Sequence, residues 1–320
     1  MNPIYTISGY CFGVVRGDLL YCYSENLPII ILDTLTGHFV REVTSNPFFR
    51  LGRDLSLHID PTGRYISIVN QDWEISPFGG LPHYLYDLIR DTSLSKDYLK
   101  KGVEDFVSSP FSPDGQLIAI PLGTDRDEKT KNFGIYNIQS GEEKLCIKAD
   151  WDWANFFSLR KTKKDHICVF GLDIDPEYSF NILYSSYGEH CYRVIEQSIF
   201  SKKSLTEMYC VVGAGEEATV LSRNSVLGTL PDVFYGEGRF NFAFSQSERF
   251  LAYRTKTSTE ESLEKIVILE LPSLETVIEL ELPKTSDTGL GLIGFSHSDD
   301  LLIYSNHKGI SAVHWRGVSK

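Results

Sequence analysis

A turn phrase that recurs along the chain, a second hairpin phrase alternating with it, and a spacing that matches one propeller blade predict the fold class. The expectation is all-β: a seven-bladed β-propeller of four-stranded antiparallel blades, closed by an N-terminal strand, with residues 1–320 forming one domain.

The first phrase is an apolar residue, a short polar turn and an apolar strand. It reads Ile59-Asp-Pro-Thr-Gly-Arg-Tyr-Ile-Ser-Ile68 and Phe111-Ser-Pro-Asp-Gly-Gln-Leu-Ile-Ala-Ile120. It returns as Phe244-Ser-Gln-Ser-Glu-Arg-Phe-Leu-Ala-Tyr253 and Phe295-Ser-His-Ser-Asp-Asp-Leu-Leu-Ile-Tyr304. Two β-runs joined by Ser, Asp, Pro or Gly are hairpin chemistry. The second phrase is an apolar run ending in a polar turn: Ile29 to Val40, Phe133 to Leu145 and Ile266 to Val277, with fainter copies at His83 to Leu88 and Asn181 to Gly188. Two hairpins in series make one four-stranded sheet.

Spacing then counts the blades. Ile59 to Phe111 is 52 residues, Phe244 to Phe295 is 51, and Phe111 to Phe244 is 133. Three intervals of about 44 fit that long gap at the propeller period, whereas two of about 66 do not. The two degenerate blades in the gap are expected to begin near Asn155 to Ser158 and near Met208 to Val212, and one more blade fits before residue 50. After Phe295 the chain holds two further strands, Leu301 to Ser305 and Ile310 to Trp315, and a strand at Ile4 to Ser8 is expected to supply the fourth and close the ring. Closure removes the open sheet edge. Helix is expected only in short pieces such as Thr92 to Lys101.

On these phrases the chain resembles the WD40-like β-propeller superfamily over essentially its whole length. It departs from that pattern: no Trp-Asp pair ends a third strand, the Gly-His pair is missing, and Trp151-Asp152 falls between blades. The resemblance implies a scaffold for protein–protein contact.

Composition bounds the partners. With 42% hydrophobic and 23% charged residues the chain can bury a large core. Its 31 Lys and Arg against 43 Asp and Glu give a net charge of −12, so nucleic acid and anionic membrane are not the expected partners, and basic proteins or peptides are. Cysteines at 11, 22, 146, 168, 191 and 210 form no Cys-x-x-Cys pair and read as reduced thiols. The opening residues lack a signal-peptide pattern, so the expected location is cytoplasmic.

Motifs with catalytic or ligand chemistry resolve into local structure. Gly213-Ala-Gly-Glu-Glu-Ala218 with Asp232 imitates a dinucleotide fingerprint. A helix must follow such glycines to place phosphate on its N-terminus; the β-branched Thr219-Val-Leu-Ser predicts a hairpin instead, with Gly213 and Gly215 as turn residues. No cofactor is expected. His190 and Cys191, adjacent on a strand, point to opposite faces and cannot act together. Asp173-Ile-Asp-Pro-Glu177 spaces carboxylates as a calcium loop does, but Tyr178 and Tyr184 stand where that loop needs Gly and a bidentate Glu, so no metal is expected.

The arrangement that points to function is distributed over loops. In a propeller of this type, the resemblance implies, the loops joining second to third strands share one face with the connections between blades. Here those loops are 71–82, 123–131, 171–178 and 256–264. They carry Trp73, Phe78, Asp125, Asp127, Asp173 and Asp175, and the connection Asp150-Trp-Asp-Trp153 adds Trp151 and Trp153. Carboxylates draw cations and indole faces hold them, so the expected role is a non-catalytic scaffold binding another protein or a basic peptide. A propeller enzyme, hydrolase or lyase, with unmarked funnel residues, or a structural subunit of a complex, stands as the alternative.

Overall fold

A computed structural model describes residues 3–24, 27–43, 55–70, 83–94, 111–112, 114–124, 131–149, 154–161, 167–174, 179–185, 190–194, 200–205, 208–214, 217–222, 225–234, 241–255, 263–283, 291–306 and 308–316. The chain forms two compact units, Thr44–Gln197 and the combination of Met1–Val43 with Ser198–Lys320.

The strands, in chain order, begin with β1 (Tyr5–Ile7), β2 (Phe12–Arg16), β3 (Leu19–Tyr23), β4 (Ile30–Asp33) and β5 (Phe39–Glu42). The unit 44–197 follows with β6 (Leu55–Ile59), β7 (Tyr65–Asn70), β8 (His83–Asp87), β9 (Thr92–Leu94), β10 (Leu117–Thr124) and β11 (Lys131–Asn137). It ends with β12 (Glu143–Ala149), β13 (Ala154–Lys161), β14 (Ile167–Ile174), β15 (Ser179–Ser185) and β16 (His190–Val194). The remainder of the first-and-last unit holds β17 (Phe200–Lys203), β18 (Tyr209–Ala214), β19 (Glu217–Ser222), β20 (Ser225–Leu230), β21 (Phe242–Phe244) and β22 (Phe250–Arg254). Its last strands are β23 (Leu263–Glu270), β24 (Glu275–Pro283), β25 (Gly291–Phe295), β26 (Leu301–Asn306) and β27 (Gly309–His314).

In the unit 44–197 these strands make the sheets β6-β7-β8-β9, β10-β11-β12 and β13-β14-β15-β16. In the other unit they make β2-β3-β4-β5, β17-β18-β19-β20, β21-β22-β23-β24 and β1-β27-β26-β25. The pairing is antiparallel throughout, and no helix occurs among the described residues.

The first phrase is the hairpin between first and second strands, and one capping device explains it. In each copy the residue after the apolar position (Asp60, Ser112, Ser245, Ser296) donates its N–H to the carbonyl five residues on, at 2.9–3.1 Å. Its side-chain oxygen accepts the N–H of that same later residue, at 2.5–3.1 Å. A buried backbone N–H left unpaired costs about 1–3 kcal/mol, so an oxygen-bearing side chain is needed there. Ser204 makes the same cap with Tyr209, N–H to carbonyl at 2.9 Å and N–H to hydroxyl at 3.0 Å. It is a fifth copy that the sequence phrase did not reveal.

The second phrase is the hairpin between third and fourth strands. The Asp33 carboxylate accepts the N–H groups of Leu35 and Thr36 at 3.1 and 2.8 Å and the Thr36 hydroxyl at 2.7 Å. Asn137 does the same with Gln139, Ser140 and the Ser140 hydroxyl at 3.1, 2.9 and 3.1 Å. These are Asx turns, which is why Asp or Asn followed by Ser or Thr three residues later marks the site. In the fainter copy Asp87 caps Ile89 and Arg90 and, only 1% exposed, pairs with the Arg64 guanidinium at 2.8 Å. That ion pair joins the two kinds of turn within one sheet.

The core lies between sheets, so a strand in the middle of a sheet is buried on both faces. On β23, Ile266 and Ile268 enter one cluster with Phe295, Leu302 and Trp315, while Val267 and Leu269 enter another with Val211, Val220 and Tyr253. This accounts for the unbroken apolar run Ile266–Leu269, which alternation for a single buried face would have interrupted. Each such side chain contributes about 1.5–3 kcal/mol.

The last sheet takes its fourth strand from the N-terminus, as the sequence predicts: Tyr5, Thr6 and Ile7 pair with Ala312, Ser311 and Ile310. Gly309, with φ +127°, makes the approach possible, because a Cβ there would collide with the Ile7 carbonyl. The Tyr5 hydroxyl then donates to the Thr34 carbonyl at 2.8 Å, tying β1 to the turn between β4 and β5.

Three expectations are corrected. Thr92–Leu94 is strand β9, held by pairing with Asp87–Leu85, and not the start of a helix; 95–101 lie outside the described residues. Met208–Val212 belongs to the second strand of its sheet, since Phe200–Lys203 pairs with Gly213–Cys210 as the first. Gly213 is a strand residue opposite Ala218 and not a turn glycine.

Candidate functional site

Of the residues expected to form an acidic, aromatic face, Trp73, Phe78, Asp125, Asp127, Trp151, Trp153 and Asp175 lie outside the described residues. Asp173 is placed, and its position is a correction: it sits in β14, opposite both Ala154 and Phe180, and not in a loop. The strand continues to Ile174 because Gly171 and Leu172 keep pairing with Ile182 and Asn181.

The strand ends around these segments are defined. Thr124 and Lys131 pair with each other, and Lys131 pairs with Ala149, so 125–130 and 150–153 attach at one end of the sheet β10-β11-β12. Ala154 pairs with Asp173, and Ile174 with Ser179, so 150–153 and 175–178 attach at one end of the sheet β13-β14-β15-β16. Sheet order also makes each of 71–82, 125–130, 175–178 and 256–262 a connection between a second and a third strand, counting the isolated Phe111 bridge to Ile118 as the first strand of its blade.

Ala214 pairs with Glu217 and strand β19 follows, so no helix stands behind Gly213 and Gly215. His190 and Cys191 are consecutive on β16. Among the described residues no three His, Cys, Asp or Glu side chains are grouped so as to hold a metal ion.

Sequence reasoning missed a polar cluster at the first-to-second turns of the unit that contains both termini. The Ser247 hydroxyl donates to Asp299 Oδ2, reaching from the turn before β22 to the turn before β26. Gln246 pairs twice with the backbone of Gly17, accepting its N–H at 2.8 Å and donating to its carbonyl at 2.8 Å. Trp315, buried against Phe250 and Phe295 at ring centroid distances of 5.0 and 5.9 Å, donates its indole N–H to the Asp299 carbonyl at 2.6 Å. Asp299 is only 4% exposed, and its Oδ1 has no partner among the described residues. The available signal was positional: Ser and an acid occupy the fourth and fifth places of the phrase in both copies, Ser247-Glu248 and Ser298-Asp299. The cluster ties three turns together.

Burial governs the titratable groups nearby. It pushes the Cys22 thiol up to about 12, which leaves it neutral at pH 7, while Cys11 is exposed. The Tyr5 hydroxyl is also raised, by burial first and then by the nearby Cys22 and Asp33.

No protein-family model matches the sequence. No curated protein matches it either. Among solved structures the chain is similar to the Cps50 (Swd1) β-propeller domain of Myceliophteria thermophila, with a TM-score of 0.61 at 16% identity over 97% of this chain and 98% of that one. It is likewise similar to hydrazine synthase of Kuenenia stuttgartiensis, with a TM-score of 0.59 at 11% identity over 97% of this chain and 96% of that one. At these identities the likeness shows the fold alone, a β-propeller.

Proposed function

Proceeding from that fold, we propose that the protein is a non-catalytic scaffold that binds another protein through a Lys- or Arg-bearing segment. The seven sheets are seven blades of one domain, closed into a ring through β1. The binding face carries Trp73, Phe78, Asp125, Asp127, Trp151, Trp153, Asp173 and Asp175. One observation supports this most: the register sets 125–130 and 150–153 at one end of one sheet, and 150–153 and 175–178 at one end of the next. Aspartates and tryptophans distant in sequence thus attach at neighbouring strand ends, on a chain of charge −12.

Charge would steer encounter, so the association rate of a basic peptide should fall as salt rises past about 0.15 M, where the Debye length is about 8 Å. Affinity would rest on the indoles, since aromatic anchors dominate binding energy. Trp151→Ala is expected to raise the dissociation rate of a Lys/Arg-rich peptide selected on the wild-type protein about 30-fold, the equivalent of a ~2 kcal/mol hot spot. Asp125→Asn with Asp127→Asn should chiefly slow association. Surface plasmon resonance reads both, and unchanged kinetics in both variants would remove the loop face from consideration.

A further inference from the structure

Each sheet ends in an outer strand, and one of these differs from the rest. β24 runs nine residues, the longest described strand, and it is the last strand of its sheet. The outer strands β1, β5, β9, β12, β16 and β20 run three, four, three, seven, five and six residues. Beyond β24 no further strand pairs among the described residues, so its outward N–H and C=O groups form a row of the kind on which an added strand can build.

The side chains on β24 select the occupant. Glu275, Val277, Glu279 and Glu281 are exposed, and the strand carries no Lys, Arg or His. Register puts Glu281 opposite Lys265 and Glu279 opposite Val267, so the two carboxylates and Lys265 share a face. Lys265 reaches diagonally to Glu279, Nζ to Oε2 at 2.6 Å. A cation on a neighbouring strand therefore already satisfies this row from the β23 side. A second copy of β24 laid alongside would set Glu against Glu, which is unfavourable for facing pairs. On the opposite face Leu280 and Leu282 belong to the core, and Ile278 packs partly exposed against it.

We infer that the β24 edge accepts, by strand addition, an extended partner segment in which Lys or Arg alternates with apolar residues. The bases face Glu279 and Glu281, and the apolar positions lie along the Ile278 side. This rests on the protein-binding reading above but uses a different surface, and the two fail separately.

The probe is an end-capped peptide of alternating lysine and valine, titrated into the full chain by fluorescence anisotropy. Its control is the same peptide N-methylated at alternate residues, equal in charge but unable to pair along the edge. The unmodified peptide should bind, with slowed amide hydrogen exchange over 275–283, and the methylated one should bind at least tenfold more weakly. Glu279→Lys with Glu281→Lys replaces two attractive cross-strand pairs by repulsive ones and should cost about tenfold in affinity, or about 1.4 kcal/mol. Asp125→Asn with Asp127→Asn should leave this affinity within about twofold, since those residues belong to the β10–β11 connection of another sheet. No binding, equal binding of the methylated peptide, or indifference to the charge reversal would overturn strand addition. Loss confined to the Asp125/Asp127 variant would overturn it in favour of the loop face. Should the charge-reversed variant fail to fold, the exchange pattern of the wild type decides alone.

Discussion

The first-to-second turns of the two units share one cap and differ at one position. In the unit 44–197 the fifth residue after the phrase begins is Gly63 or Gly115, with φ of +73° and +66°. In the unit holding both termini the same position is Glu248 or Asp299, with φ of +58° and +57°. The backbone geometry is therefore held by the cap, whatever side chain sits in the left-handed position. Glycine takes it without strain, whereas another residue pays about 1–2 kcal/mol. At Asp299 that cost accompanies a contact no glycine can make, the Ser247 hydroxyl on its carboxylate. At Gly115 there is no room for such a residue, because a Cβ would lie 2.5 Å from Asp60 Oδ2. A position that looks interchangeable in the repeat is thus specialised by what the neighbouring turn presents.

The largest effect should come from the residue that anchors the acidic version. Trp315→Ala removes a fully buried indole and the donor to the Asp299 carbonyl. It is expected to cost about 3–5 kcal/mol in chemical denaturation. A loss under about 1 kcal/mol would mean the turn needs no support from Trp315.

A reciprocal swap sharpens the comparison. Gly115→Asp should destabilise by about 2–3 kcal/mol, combining left-handed strain, steric conflict and a like charge against Asp60. Asp299→Gly should change stability by less than about 1 kcal/mol, because relief of strain and of an unpaired buried oxygen offsets the lost Ser247 bond. Equal costs for the two swaps, read from denaturation midpoints, would show that the position is not specialised.

The smallest effect concerns Asp87, in the other kind of turn. Burial pushes its carboxyl up, but the Arg64 guanidinium and the N–H groups of Arg90 and Ile89 outweigh that and hold it below the usual carboxylate range. A depressed folded-state value means that the stabilisation is complete above the unfolded-chain value of about 3.9 and is lost as pH falls through the lower folded value. Arg64→Met should move the Asp87 titration upward in a carboxyl NMR experiment. An unmoved titration would assign the depression to the two backbone donors alone.

How much could be read beforehand follows the range of each interaction. Asp33 and Asn137 announce their turns because the groups they cap lie two and three residues away. Ser204 escaped notice because Lys203 precedes it where every recognised copy has Ile or Phe, and its cap appears only when Tyr209 is paired in β18. Gly213 looked like a turn residue because glycine is usual there, yet cross-strand pairing with Phe200 and Ala218 makes it strand. Asp173 was read into a loop because strand ends are set by the neighbours' register, here Ala154 and Phe180.

The sequence by itself determined the all-β class, the two alternating hairpins and the N-terminal strand of the last sheet. Capping and alternation act over a few residues, and a three-stranded remainder left a single edge to fill. Tertiary structure decided which acid the left-handed position tolerates and which sheet edge is left long and open. Those outcomes depend on groups far apart in the chain, such as Ser247 on Asp299 across 52 residues, and contacts of that range leave no local pattern to read.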